Sequence, residues 1–164
     1  MERLVEADCD FLLAATLPAL GEALGMADAF AETDLAYVLS FVLRSDGCLL
    51  DGTPLTEAIA EIDGRERPPA GYWINCTHPE VFATGMKEAR DSNADATARV
   101  IGFQANTSPR DPAEFGALTS LDAMRPEDFA TSMAILKSEF GLSVLGGCCG
   151  TRAAHIKALA MALA

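Results

Sequence analysis

The sequence predicts an α/β fold built on a parallel sheet, and three observations carry that prediction. Short apolar runs alternate five times with segments of helical periodicity, the pattern of strands joined by helical crossovers. Residues 35–43 are apolar on both alternating faces, as a strand buried on both sides must be. Pro18, Thr53-Pro54, Pro79, Pro126 and Thr151 each follow a run or its turn, and residues of these types suit a cap or the first turn of a helix.

The elements follow in order. Residues 10–15 form a short apolar strand, and Leu20, Leu24, Ala27 and Phe30 mark one face of the helix after Pro18. The second strand, residues 35–43, ends before two Asp-Gly turns, Asp46-Gly47 and Asp51-Gly52. Leu55, Ala58, Ile59 and Ile62 recur at i, i+3, i+4 and i+7 in the next helix. Residues 63–69 are a polar turn, residues 70–76 the third strand, and Pro79 begins a helix reaching about Arg90. A polar connection, 91–98, precedes the fourth strand, 99–105. Residues 106–125 are irregular and long for a strand-to-helix loop, the kind of segment that often carries function. The helix from Pro126 buries Phe129, Met133, Leu136 and Phe140 and stops at Gly141, suited to a left-handed C-terminal cap. Residues 142–145 are the last strand; Thr151 is read as the N-cap of a closing helix with Ile156, Leu159, Ala160 and Leu163 on one face. The unit spacing fits either a (β/α) barrel or a doubly wound sheet.

Composition narrows the function. The length of 164 residues fits one domain or part of one, with half of the residues apolar and so ample material for a core. The net charge of −12 argues against nucleic-acid binding, which needs a basic face, and against docking on anionic lipid. No apolar stretch is long enough to span a bilayer, and the first residues lack the basic and apolar regions of a signal peptide. Five cysteines without disulfide-scaffold spacing suit a reducing cytoplasm. Cys9 and Cys48 fall in no pattern and are read as packing residues.

The other three cysteines carry the chemistry. Cys76 ends Gly71-Tyr72-Trp73-Ile74-Asn75-Cys76, and Cys148 and Cys149 lie within Gly146-Gly147-Cys148-Cys149-Gly150-Thr151. Both sets follow a strand and precede a helix, so a parallel sheet would bring them to one rim. Three thiolates can hold Zn²⁺ and leave its fourth tetrahedral position open. A bare Cys-Cys pair is more often buried packing or a strained vicinal disulfide. The flanking glycines, which let the backbone bend both sulfurs toward one ion, favour metal here. Asn106 is an even choice between a substrate contact and a turn former. His78 reads as a cap or solvent group, His155 as structural, and Thr16 as a rim residue of little weight; the acidic pairs Glu61/Asp63 and Glu127/Asp128 read as solvated faces.

These motifs resemble the homocysteine S-methyltransferase family. Asn75-Cys76 with Pro79-Glu80 resembles its Asn-Cys-x-x-Pro-Glu segment, and Gly146–Thr151 with His155-Ile156 resembles its closing signature. Ser40-Phe41 and Asp51-Gly52-Thr53-Pro54-Leu55 resemble its fifth unit, and Ala15-Thr16-Leu17-Pro18 stands where the family usually has Glu-Thr-Ile-Pro. Gln104-Ala105-Asn106 keeps only the asparagine of the family's Tyr-Pro-Asn. The resemblance implies a partial (β/α)8 TIM barrel, strands four to eight, with Zn²⁺ on Cys76, Cys148 and Cys149. The implied chemistry is methyl transfer from a donor to a zinc-bound thiolate such as homocysteine, in methionine biosynthesis. A complete barrel of this kind needs about 250 residues. The alternative is a non-catalytic zinc-binding fragment or subunit that needs a partner chain to complete the barrel, and the expected association is with such a chain or with itself through open sheet edges.

Overall fold

The computed structural model describes residues 8–109 and 123–164. Five parallel strands stand in chain order: β1 (Phe11–Leu17), β2 (Ala36–Phe41), β3 (Gly71–Thr77), β4 (Val100–Ala105) and β5 (Val144–Gly147). Helices α1 (Leu20–Ala31), α2 (Leu55–Asp63), α3 (Pro79–Ser92), α4 (Ala94–Thr97), α5 (Pro126–Phe140) and α6 (Ala153–Ala162) alternate with them. Strands that neighbour in sequence neighbour in the sheet throughout. This is the winding of a barrel, not of a doubly wound sheet, whose order reverses part-way. The fold is α/β and resembles part of a TIM barrel.

Side chains alternate across each strand, and the two faces of the sheet have different fates. On the helix side, Leu12, Leu39, Phe41, Tyr72, Ile74 and Phe103 join Phe30, Ile59, Phe82, Met86, Phe129 and Met133 in one buried core. The ring of Phe82 stacks on Phe103 at 4.0 Å and meets Phe140 edge-on at 5.5 Å, fixing α3 and α5 against β4. The other face carries Phe11, Leu13, Val38, Trp73, Gly102 and Val144, with Leu13 paired to Val38, and with Trp73, Gly102 and Val144 in one row. Val38 and Trp73 are buried there but lie outside the helix-side core, while Phe11, Leu13 and Val144 are 43, 38 and 36% exposed. Among the described residues, β1 and β5 each pair on one side only.

Several boundaries differ from the sequence expectation. β1 runs on to Leu17, which puts Thr16 inside the strand, and β5 starts at Val144, which puts Gly146 and Gly147 in the strand before the cysteines. The polar connection contains α4, whose start is capped by Asn93 accepting from the Ala96 N–H. Thr151 is not the N-cap of α6. Arg152 holds that place, and the Thr151 hydroxyl instead donates to the Cys148 carbonyl at 2.6 Å. Gly141 does cap α5 at φ +68°. Asp63 is not merely solvated: it takes two bonds from Arg99, at 2.8 and 3.0 Å, and one from the Tyr72 hydroxyl at 2.9 Å. That network ties the end of α2 to the starts of β3 and β4. Asp128 lies exposed as expected, paired with Arg125. Residues 110–122 of the expected irregular loop lie outside the described residues.

Candidate metal centre

The C-terminal ends of β3 and β5 bring three thiols together. Cys76 Sγ lies 2.7 Å from Cys148 Sγ and 3.8 Å from Cys149 Sγ, and the adjacent pair is 3.9 Å apart. These are the only His, Cys, Asp or Glu atoms among the described residues that cluster closely enough to hold an ion.

The two arms reach the site by different means. Cys76 is the extra residue of a β-bulge, since Asn75 and Thr77 pair with Gln104 and Ala105, which are consecutive. Its φ is +55°, a left-handed setting that costs a residue with a β-carbon about 1–2 kcal/mol. Bonds at the residue beyond it help to hold it there. Thr77 Oγ1 accepts from the Leu43 N–H at 3.2 Å, the Thr77 carbonyl accepts from the Asn106 N–H at 2.9 Å, and Asn106 Nδ2 donates to the Cys76 carbonyl at 3.4 Å. The Cys148–Cys149 turn is docked on β4 and the chain beyond it. Cys148 N–H donates to Ala105 O at 2.8 Å, and Thr107 N–H donates to Cys149 O at 3.1 Å. Gly150 completes the turn at φ +79°, and a β-carbon there would overlap the Thr107 hydroxyl.

The donor set fits zinc. Sulfurs bound at ~2.3 Å in a tetrahedron stand about 3.8 Å apart; two of the three separations already match, and the third needs to open by about 1 Å. The hydrogen bond from Cys76 lowers the Cys148 thiol, and the same bond, with burial, raises Cys76. That shift favours metal binding, since ligand thiols must be deprotonated to bind.

Asn106 is brought beside Cys76. It is 3% exposed, and besides its bond to Cys76 it accepts from the Ser108 N–H at 2.7 Å, so its turn-forming role is in place. His78 caps α3, its Nδ1 accepting from the Glu80 N–H at 3.3 Å, and burial lowers its pKa. His155 is buried in a structural role: Nδ1 accepts from Arg152 N–H at 3.0 Å and Nε2 donates to Met124 O at 2.9 Å. Cys48 lies away from the cluster, its thiol near the Asp46 carbonyl. Thr16 matters more than the sequence suggested. It shares two hydrogen bonds with Asn75, which also binds Ser40. No local pattern announces those contacts, because their partners are separated by 59 and 35 residues.

Comparison with known proteins shows the family. The family model for homocysteine S-methyltransferase matches residues 1–163. The chain belongs to this family. The Bacillus subtilis homocysteine S-methyltransferase YbgG is 27% identical over 161 residues, covering 98% of this chain and 49% of its own length. The crystal structure of the Escherichia coli homocysteine methyltransferase MmuM in its apo form superposes with a TM-score of 0.72 at 25% identity, covering 98% of this chain and 53% of MmuM. Its metallated form gives 0.70, also at 25% identity, over 96% of this chain and 46% of that one. The chain thus spans about half the length of these family members.

Proposed function

We propose that this chain is the zinc-holding part of a homocysteine S-methyltransferase. Cys76, Cys148 and Cys149 hold Zn²⁺ and leave one tetrahedral position for a thiol substrate such as homocysteine. The observation that supports this reading is the convergence of three sulfurs from two strand ends, at separations two of which are those of a tetrahedral zinc site. When bound, zinc supplies a Lewis acid that keeps a substrate thiol in its nucleophilic thiolate form at neutral pH. The chain's own contribution is to fix the three sulfurs, with the Cys148 thiol made more acidic by Cys76, and to place Asn106 beside Cys76 as a polar contact for the substrate. The substrate sulfur gains a bond to the methyl carbon as the donor's bond to it breaks, and the thiol proton leaves to solvent. With homocysteine the product is methionine. A reducing compartment, the cytoplasm, keeps the thiols available.

The open inner face favours a second reading, in which this chain is a non-catalytic zinc-binding subunit until another polypeptide completes the barrel. Phe11, Leu13 and Val144 are exposed along the two sheet edges, where neither strand carries the Lys or Pro that commonly guards an edge. Beside β5 a groove of about 300 Å³ is lined by Leu145, Ile156, Leu159 and Leu163. Five strands do not satisfy the linked tilt and stagger of an eight-stranded barrel, and the occupant that fits is a polypeptide of three strand–helix units.

Methyl transfer to homocysteine separates the two readings, tested with S-methylmethionine, S-adenosylmethionine and betaine as donors. The zinc-loaded chain alone is expected to give little or no product, because activating a thiol without positioning its partner forfeits much of the rate gain. Adding the three-unit polypeptide should give a discrete complex by light scattering, and turnover. Robust turnover by the chain alone overturns the need for a partner. A zinc-loaded complex inert toward every donor overturns the enzymatic reading.

A further inference from the structure

Two residues with β-carbons at the rim adopt the left-handed region: Thr16 at φ +65° and Cys76 at φ +55°. Each lies where its strand carries one extra residue, since the register of β1 shifts between Ala14 and Leu17 and that of β3 between Asn75 and Thr77. Two bulges on strands that are not direct neighbours need a reason to coincide. Asn75, 2% exposed on the inner face, supplies it. Its Oδ1 accepts from the Thr16 N–H at 2.9 Å and from the Ser40 hydroxyl at 2.6 Å, and its Nδ2 donates to Thr16 Oγ1 at 2.8 Å. One amide therefore grips both the backbone and the hydroxyl of the β1 bulge, takes a bond from β2 between them, and stands immediately before Cys76.

We propose that Asn75 is a positioning residue for the metal centre, and that Thr16 is its anchor. The clamp holds the β3 bulge in the conformation that throws Cys76 Sγ toward Cys148 and Cys149. Strained backbone persists only where surrounding bonds over-determine it. Thr77 and Asn106 secure Cys76 from its far side. On its near side Asn75 is the residue that ties it to the neighbouring strands. Ser40 keeps the acceptor oxygen oriented, so that the amide cannot flip its donor and acceptor ends without breaking three bonds. Without the clamp the preferred escape is for Cys76 to relax toward extended backbone, which turns its sulfur away from the pair. This inference rests on the zinc reading for its purpose, but the clamp can be tested without zinc.

The test uses Thr16→Val, which keeps the shape of the side chain and removes the acceptor for Asn75 Nδ2, with Thr16→Ser as the conservative rescue and Asn75→Leu as the full deletion. Each is titrated with Co²⁺, whose thiolate charge-transfer absorbance reports how many sulfurs bind. Thr16→Val should lose about 10-fold in Co²⁺ affinity, the lower end of the range for groups that orient a ligand, with absorbance falling toward that of Cys76→Ser. Thr16→Ser should return both to the starting values. In a second, metal-free arm, phenylarsine oxide, which bridges two thiols, is bound to the Cys149→Ser background, where Cys76 and Cys148 are the near pair. Thr16→Val should weaken that binding as well.

Unchanged affinity, absorbance and arsenical binding in Thr16→Val overturn the proposal, and so does a lower melting temperature with the three-sulfur band intact, because that marks a purely structural role. If Asn75→Leu does not fold, Thr16→Val alone decides. Absence of any thiolate–cobalt band in the unsubstituted chain would overturn the zinc reading instead, and the arsenical arm then decides whether the clamp stands.

Discussion

Cys76 and the Cys148–Cys149 pair arrive at one point by opposite strategies. Cys76 stands on a bulge where the backbone is forced into an unfavourable region and held by side chains from three other segments: Thr16, Ser40 and Asn106. The pair stands on a turn whose shape comes largely from glycine and whose bonds run mostly backbone to backbone. The first arm depends on distant polar residues. The second depends on local freedom from β-carbons. A site assembled this way has one sulfur held through side chains of distant segments and two carried on a glycine-shaped turn that backbone bonds dock on β4 and the chain beyond it. The two arms should therefore fail differently.

The largest effect tests whether both arms are needed. Replacing Cys76, Cys148 or Cys149 by Ala should lower zinc affinity by more than about 100-fold, since losing a ligand costs more than losing a group that supports one. Cys9→Ala and Cys48→Ala should leave zinc content near one ion per chain. Metal analysis after dialysis against a chelator reads this directly, and stoichiometric zinc in a Cys148→Ala/Cys149→Ala double variant would remove the pair from the site.

A smaller effect separates the turn from the bulge. Gly150→Ala places a β-carbon at φ +79° against the Thr107 hydroxyl. The expected cost is about 2–3 kcal/mol, or roughly 4–12 °C in melting temperature for a chain of this size. Thermal melts of the metal-free protein check it. An unchanged melt would mean that the turn is looser than its bonds suggest.

The smallest effect lies just beyond Cys76. Burial lowers the pKa of His78, which caps α3 through an unprotonated Nδ1. The unfolded chain, with a histidine near ~6.5, therefore binds this proton more readily than the folded one. Its contribution is complete above pH ~6.5 and falls away as acid drives the buried ring to protonate. The loss should be about 1 kcal/mol, the value of a helix cap. Histidine78 replaced by asparagine, His78→Asn, keeps an acceptor that does not titrate, so chemical denaturation between pH 7 and 5 should show a flatter stability profile. Equal slopes in the two proteins would sever the cap from the pH dependence.

The same contrast explains what the sequence could and could not reveal. The strand–helix alternation was legible because each element carries its own periodicity, down to the Gly141 cap. The three cysteines were legible because motif and strand end coincide. Boundaries slipped where tertiary contacts decide. β1 continues through Thr16 because Asn75 reaches it, and α6 begins after Arg152 because the Thr151 hydroxyl is engaged with Cys148. Asp63 read as solvated because Arg99, its partner, lies 36 residues away. The role of Asn75 was hidden for the same reason. Its neighbour Cys76 is visible in sequence, whereas its bonds to Thr16 and Ser40 exist only once three strands align.

The aromatic residues give the two faces of the sheet separate voices. The chain has two tyrosines and one tryptophan. Tyr37 and Tyr72 both lie on the helix side, against Phe30 and Phe41. Trp73 lies on the inner wall, its indole laid over Gly102, where no larger residue would fit, and edge-on to Phe11 at 6.1 Å. Its indole N–H has no hydrogen-bond partner among the described residues. Tyrosine absorption thus follows the packing of the helices, while tryptophan emission follows whatever comes to rest on the concave wall, so that covering the wall and loosening the helices can be told apart by light in the unlabelled protein.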